Sequence, residues 1–398
     1  MNMYTWSDRE LESWRSVGDP LADGVMRELY ETGSVTAVND LLSLMVRHDV
    51  PPPAQLPPAA QRYFQQSAVL PPWVDLDAIA KGEEVFMRYG LLSLASLLCA
   101  SLPECYAMRN GVHVLDITRQ LRSNTERRVY ETAQMVIDVM ARGGLRPGGR
   151  GVRSSQKIRL MHASMRYLLE IDPDGVTEPD PAMPSLADVM TRKVWDPSWG
   201  RPINQEDLAF TLQTFSTVIL RAWDRLGVVL DPAEQQGYFH CWRVVGHLIG
   251  VAEALNPPTV EGGEALFEAL RAHQRGATEA GQAMTKALAD TVAQVIGIPW
   301  VSDDAVTLLM RHLLGDDTAE MMGVPESSKV GARAMGGIVS VVRAASTVGE
   351  GIGDEVPLVH RISAWFGQRF IERIARRDRG GERSLFHLPT DLREAWER

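Results

Sequence analysis

The stretch RRVYETAQMVIDVMARGGLRPGGRGVRSSQKIRLMHASMR, residues 127–166, carries two helix-like segments joined by a glycine-rich turn. Residues Thr125–Arg142 predict an amphipathic helix that ends at Gly143 and Gly144, because glycine readily adopts the backbone conformation that follows a helix. Residues Ser154–Ile171 predict the second helix. Polar side chains recur on the apolar faces of both segments, and burying them costs free energy unless they are bound. The stretch therefore predicts a helical fold with a binding partner at this pair of helices.

Helical signals also dominate the rest of the chain. Ser7 and Glu10 form a capping-box pattern at the start of a segment that runs to Gly33, and Asn204 caps a segment that stops at Gly227. Another segment begins at Asp231, whereas the alternating apolar pattern of strands is nearly absent. The sequence predicts an all-α protein with a single domain, in which residues 1–85 are an N-terminal addition, 86–260 the core and 261–398 C-terminal helices.

Charge and composition narrow the classes of partner. The 398 residues carry a net charge of −10, which argues against a nucleic-acid surface, since phosphate binding needs a concentrated basic patch. Three cysteines without metal-type spacing are typical of a reducing compartment. The first residues show no signal-peptide pattern, and the apolar segment between Tyr89 and Cys105 is too short for a membrane span. We therefore expect a cytoplasmic protein without a membrane-spanning helix.

The common catalytic motifs are absent from the sequence. The nine histidines form no HExxH and no ExxH pattern, which argues against zinc proteases and helix-bundle di-iron sites. There is no GxGxxG motif before a helix, no Walker loop and no GxSxG elbow. The glycine-rich RPGGRG segment lies between two helices without a preceding strand, as expected for a tight helix–helix turn.

His162 is the histidine with the most informative surroundings. On a helix it shares a face with Ile158 and Met165, because side chains three and four positions apart are neighbours. Such a histidine is either a core residue bonded to a backbone carbonyl or the proximal ligand of a haem iron. Arg159 and Arg166, one turn before and after it, are either haem-propionate ligands or ordinary surface charges.

Arg128, Glu131 and Thr132 lie on the preceding helix and form the second group of candidates. Arg128 and Thr132 are four positions apart and face the same way, with Glu131 adjacent. Taken alone, they also fit a helix-surface arginine–glutamate pair and a threonine bonded to its own helix.

Six segments occur in an order that resembles the latex-clearing-protein and mycophenolic-acid-pathway oxygenase family. They are SLPECY, RRVYETAQMV, GGLRPGGRG, QKIRLMHASMR, GRPINQEDLAFTLQTFSTV and CWRVVGHLIGVAE, within Tyr89–Leu255. The most specific element is the arginine–x–x–x–threonine of Arg128 and Thr132, followed by the leucine–x–histidine that ends at His162.

The resemblance implies a globin-like helical core that holds haem b, with His162 as the iron ligand. It places Arg128 and Thr132 in distal-helix positions, whereas Glu131 stands where rubber-cleaving members have lysine. A carboxylate can accept a proton or pair with Arg128, which a lysine ammonium cannot do. The chain looks more similar to the intracellular members that act on smaller lipophilic or natural-product substrates.

The expected activity is oxidative cleavage of a carbon–carbon double bond, with dioxygen as co-substrate. The expected catalytic residues are Arg128, Glu131 and Thr132, and the expected haem-binding residues are Arg159, His162 and Arg166. Two alternatives stay open. One is a haem hydroxylase, a peroxygenase-like enzyme or a gas-binding haem protein, and the other is a haem-free helical protein that binds a lipophile.

Overall fold

The structure is a computed structural model that describes residues 4–33, 56–117, 125–170, 195–296 and 303–326, with single positions from 328 to 343. Its α-helices, in chain order, are α1 (Asp8–Trp14), α2 (Pro20–Thr32), α3 (Pro58–Ser67), α4 (Leu76–Ser96), α5 (Leu102–Tyr106), α6 (Val112–Ile117), α7 (Thr125–Met140), α8 (Arg150–Glu170), α9 (Gln205–Phe215), α10 (Thr217–Arg225), α11 (Pro232–Ile249), α12 (Val260–Gln274), α13 (Glu279–Ile296), α14 (Asp303–Leu314) and α15 (Asp316–Met321). No strand occurs in these ranges beyond one isolated bridge between Met108 and Arg275. The all-α prediction is confirmed.

Local capping decides where most of these helices begin. The Ser7 side chain accepts from the backbone N–H of Glu10, and Asn204 caps α9 in the same way. Asp231 and Glu234 form a complete capping box at the start of α11. Each of these starts was predicted, because the interaction joins residues only three positions apart.

The segment that the sequence predicts as one helical stretch from Ser7 to Gly33 is divided in two. Asp19 caps a new helix whose first residue is Pro20. Proline fits the first turn of a helix but lacks the N–H that a helix interior needs, so α1 ends at Trp14 and α2 starts afresh. The break places Asp19 at the N-terminus of α2, where it contacts α8.

The core forms where α4 packs against α11. Phe86 and Leu94 of α4 and Tyr238 and Trp242 of α11 are all buried. α4 continues directly into a π-helical segment, Leu97–Ser101, and then into α5, so the apolar run ends in a bend rather than in one straight helix. Burial of this run agrees with the prediction of a core helix.

A membrane-spanning helix was not expected, and no single described helix is long and apolar enough to be one. Only the bent pair Leu76–Gly90 and Leu92–Tyr106, which turns by 80°, reaches that length and composition when its two parts are taken together.

Candidate functional site

The glycine-rich turn between α7 and α8 brings the candidate residues onto one helical hairpin. Gly143 and Gly148 have φ values of 73°, in the left-handed region that favours glycine. A Cβ on Gly151 would lie 2.7 Å from the Cα of Val139, so glycine is needed where the two helices meet. The Gly143 N–H donates to Glu83 Oε1 at 2.8 Å, which fixes the turn to α4. The RPGGRG segment is therefore a tight helix–helix turn.

The backbone amides of this turn are used internally. The N–H groups of Gly144, Arg146 and Gly149 donate to carbonyls within the turn, and that of Val152 donates to Gly144. Amides that already donate are not available to cradle an anion. These hydrogen bonds stabilise the turn that joins the two helices.

His162 lies near the middle of α8 and is half-buried. α8 packs against α7 on one side and against α2 and α11 on others. Met165 and Leu169, three and seven positions after His162, are buried on the same side of the helix. The side of α8 that carries the imidazole is therefore apolar at these two positions.

Glu131 and Thr132 are both half-buried in α7. With a rise of 1.5 Å per residue, Thr132 is about 10 Å from the Val139–Gly151 contact along α7, and His162 about 16 Å along α8. Arg128 is in the first turn of α7, at the same distance from the contact as His162, and its side chain lies outside the described part of the structure. Along the hairpin, Glu131 and Thr132 thus lie about 4–6 Å nearer to this contact than His162 does.

Arg159 and Arg166 have carboxylate partners within the chain. Arg159 forms a bidentate ion pair with Asp19, in which Nη2 lies 2.8 Å from Oδ1 and Nε contacts Oδ2. Arg166 Nε lies 2.7 Å from Asp23 Oδ1, and its Nη1 donates to the Ile203 carbonyl at 2.9 Å. Only 1% of the Arg166 side chain is exposed, so the alternative of an ordinary surface charge is wrong for it. A role in binding haem propionates stays a prediction.

The other described histidines make contacts that support the fold. His113 stacks on Trp199 with ring centroids 3.7 Å apart, and His240 accepts from the Asp75 N–H at 3.0 Å. Burial lowers the pKa of both imidazoles. Each of the other three described histidines outside α8 also has a partner. His247 packs against Trp73 in a T-shaped arrangement, His273 Nδ1 lies 2.6 Å from Glu206 Oε1, and His312 Nε2 lies 2.9 Å from the Arg225 carbonyl. His48, His360 and His387 lie outside the described residues.

A directly ligated metal centre is not formed by the described residues. None of their histidine, cysteine and acidic side chains come together in groups of three or more that could hold a metal ion. The free thiols of Cys99, Cys105 and Cys241 are buried, and burial raises the pKa of each. A porphyrin needs only one or two protein ligands because it supplies four nitrogen ligands itself. The donor that α8 offers, the single half-buried imidazole of His162 on the same side as buried Met165 and Leu169, fits such a group.

Sequence reasoning missed Asp19 and Asp23, the partners of the two arginines that flank His162. They precede Arg159 and Arg166 by 140 and 143 positions, and no local pattern connects them. The one available signal was the Asp–Pro dipeptide at 19–20, which predicts a helix start but not its contact with α8.

A comparison with solved structures identifies the class of fold. The chain aligns with the structure of the latex clearing protein in its closed state with a TM-score of 0.69, over 92% of this chain and 95% of that one, at 20% sequence identity. The two chains thus share a helical fold.

The family follows from the sequence comparisons. A family model described as "ER-bound oxygenase mpaB/B'/Rubber oxygenase, catalytic domain" matches residues 85–344. The rubber oxygenase of Streptomyces sp. (strain K30) is 24% identical over 344 residues, which cover 81% of this chain and 76% of that protein. The chain belongs to this oxygenase family, and the resemblance stated from the motifs is confirmed.

Proposed function

We propose that this protein is a haem b-dependent oxygenase that cleaves a carbon–carbon double bond of a lipophilic substrate with dioxygen. The observation that carries the proposal is the place of His162, a half-buried imidazole on the same side of α8 as buried Met165 and Leu169. α8 packs against α7, the helix that carries Glu131 and Thr132. Membership of the oxygenase family supports the class of reaction. When bound, haem b would supply the iron that activates dioxygen.

His162 is proposed to hold the iron through one ring nitrogen. Ligating histidines need an orientation fixed by their surroundings, and the packing of α8 between α2, α7 and α11 restrains the helix that carries the ring. The same packing limits the access of water to the apolar side of α8.

Glu131, Thr132 and Arg128 are proposed to act on the substrate side. The Glu131 carboxylate would accept the allylic proton of the alkene, and the Thr132 hydroxyl would donate a hydrogen bond to a reacting oxygen. Arg128 would pair with the Glu131 carboxylate and orient it. Glu131 provides a base where rubber-cleaving members have lysine, so the proposed substrate is a smaller lipophilic or natural-product alkene rather than a polymer.

Absorption spectroscopy tests the cofactor. The purified protein, supplemented with haem during expression, should show a Soret band, and His162→Ala should lose it while far-ultraviolet circular dichroism stays largely unchanged. His312→Ala is the control, because His312 contacts the Arg225 carbonyl at 2.9 Å on a different helix. Full haem occupancy in His162→Ala would contradict the ligand assignment. A wild-type protein without a Soret band would favour a haem-free protein that binds a lipophile.

Product analysis tests the reaction. Incubation with an isoprenoid alkene under oxygen should give two carbonyl fragments, whereas a single alcohol would identify a hydroxylase. Haem-loaded protein that converts none of a panel of lipophilic alkenes would contradict the cleavage reaction and favour a gas-binding protein. Glu131→Gln should slow turnover and keep the Soret band, since an amide cannot accept the proton. Unchanged turnover would remove Glu131 from the mechanism. A cytoplasmic location is a separate part of the proposal, and cell fractionation tests it.

A further inference from the structure

Asp19 and Asp23 of α2 contact α8 on both sides of His162. Asp19 holds Arg159, three positions before His162, and Asp23 holds Arg166, four positions after it. These spacings put both arginines on the same side of α8 as the imidazole, one turn away in each direction. The N-terminal part of α2 is therefore joined to α8 by one ion pair on each side of the candidate iron ligand.

Burial makes these contacts specific. The side chains of Asp19 and Arg166 are 2% and 1% exposed, and those of Asp23 and Arg159 are 11% and 12% exposed. A buried charge needs its partner in a defined position, because water cannot replace the lost contact. Both guanidinium groups bind with directional hydrogen bonds, so a rotation or shift of α8 would break them.

Further contacts between α2 and α8 lie farther along both helices. The Tyr30 hydroxyl lies 2.7 Å from the Ser164 hydroxyl, and the Tyr30 ring stacks on Tyr167 with centroids 4.5 Å apart. Arg201 adds a second cation beside Asp23, at 3.2 Å. The α2–α8 contact therefore covers residues 159–167, with His162 inside that range.

We propose that Asp19 and Asp23 are positioning residues that set the orientation of the His162 imidazole toward the haem iron through Arg159 and Arg166. This inference rests on the proposed function. It gives the two arginines a carboxylate-binding role within the chain, and it predicts that the acidic residues of α2 control how tightly the haem is held.

The test compares Asp19→Asn and Asp23→Asn with Glu28→Gln. The Asn variants keep the side-chain shape and remove the charge. Glu28 is on the same helix, in an exposed pair with Arg62, and serves as the matched control. Haem dissociation is measured by transfer to excess apomyoglobin. Substitution of a residue that supports a ligating histidine typically weakens metal binding about 10- to 100-fold. We therefore expect haem to dissociate about tenfold faster from either Asn variant. Glu28→Gln should stay within about twofold of the wild type.

A second readout separates orientation from general destabilisation. The iron–histidine stretching band in the resonance Raman spectrum of the ferrous protein depends on the orientation of the imidazole, and it should move in the Asn variants. Tyr30→Phe removes only the hydroxyl contact with Ser164, so it should leave the band in place and serves as a control on the same helix. Arg159→Lys keeps the positive charge but loses the paired hydrogen bonds to Asp19, so it should move the band and keeps the test available if an Asn variant fails to fold. A band that moves as far in Tyr30→Phe as in the Asn variants would assign the orientation to the α2–α8 contact as a whole and overturn the specific assignment to the aspartates.

The possible failures are distinguishable. A wild-type protein that binds no haem would overturn the proposed function and this inference together. Haem bound through His162 in the wild type, with unchanged dissociation and an unchanged band in Asp19→Asn and Asp23→Asn, would overturn this inference alone.

Discussion

Two charge clusters with buried ion pairs at their centres join the N-terminal helices to the rest of the protein, and they differ in charge balance. The α2–α8 cluster contains three carboxylates and three guanidinium groups, namely Asp19, Asp23, Glu170, Arg159, Arg166 and Arg201. The α1–α9 cluster contains one arginine for two carboxylates. There Arg15 Nη1 lies 3.0 Å from Glu206 Oε2 and 3.3 Å from Asp207 Oδ1.

The unbalanced cluster contains two carboxyl groups with raised pKa values. Burial raises the pKa of Asp207 to about 7, and Arg15 lowers it only in part. Burial also raises the pKa of Glu206, although His273 Nδ1 lies 2.6 Å from its Oε1. A carboxylate that shares its cation stays partly uncompensated, so the stability contributed by the α1–α9 cluster should depend on pH.

The largest expected effect follows from removing Arg15. Arg15→Met leaves two buried carboxylates without their guanidinium partner, and breaking a buried pair in this way costs about 3–5 kcal/mol of unfolding free energy. The loss should be largest at pH 8 and smaller at pH 5, because protonation of Asp207 and Glu206 removes the charge that needs Arg15. Urea unfolding at the two pH values measures it, and an equal loss at both would contradict the comparison.

Arg166→Met should have a smaller effect on stability. It removes the contact with Asp23 and the hydrogen bond to the Ile203 carbonyl, but Arg201 still lies 3.2 Å from Asp23. Because one cation remains, we expect a loss of about 2–3 kcal/mol, at or below the lower end of the range for buried pairs. The measurement is urea unfolding at pH 8, and a loss greater than that of Arg15→Met would show that the balance of charge does not decide the cost.

The comparison also shows which parts of the molecule could be predicted from the sequence. The starts of α9 and α11 and the turn between α7 and α8 depend on residues a few positions apart, so their patterns are visible in the chain. The candidate residues Glu131, Thr132 and His162 belong to one hairpin, and adjacency in sequence was enough to group them.

The charge clusters could not be predicted in this way. Arg15 meets Glu206 across 191 positions, and Arg159 meets Asp19 across 140. A charged residue on a helix looks the same in sequence whether it is solvated or paired in the interior, because only the packing of distant helices decides between the two. For this reason Arg159 and Arg166 were assigned to a ligand or to solvent, and their carboxylate partners were not foreseen.

The pH response of the unbalanced cluster can be isolated with Asp207→Asn. Since the pKa of Asp207 is raised from 3.8 to about 7 in the folded protein, the folded state holds its proton more tightly than the unfolded state. The free energy of unfolding should therefore fall as pH rises from about 4 to about 7 and stay constant above that. The total decrease is about 1.4 kcal/mol for each unit by which the folded-state pKa exceeds the unfolded-state pKa. Asp207→Asn should flatten this decline, to which Glu206 also contributes. Unfolding free energy measured between pH 4.5 and 8 checks it, and an unchanged slope would assign the decline to other groups.

The smallest expected effect is at an exposed pair on the same helix as Asp19 and Asp23. Glu28 and Arg62 lie 3.0 Å apart, but their side chains are 49% and 57% exposed, so water screens both charges. Exposed pairs contribute about 0–1 kcal/mol, and salt reduces even that. Glu28→Gln should therefore change the unfolding free energy by less than about 1 kcal/mol, with less difference at high salt. A loss as large as that of Arg166→Met would mean that any ion pair of α2, buried or not, holds the helix in place. Burial would then no longer distinguish the α2–α8 cluster from the surface.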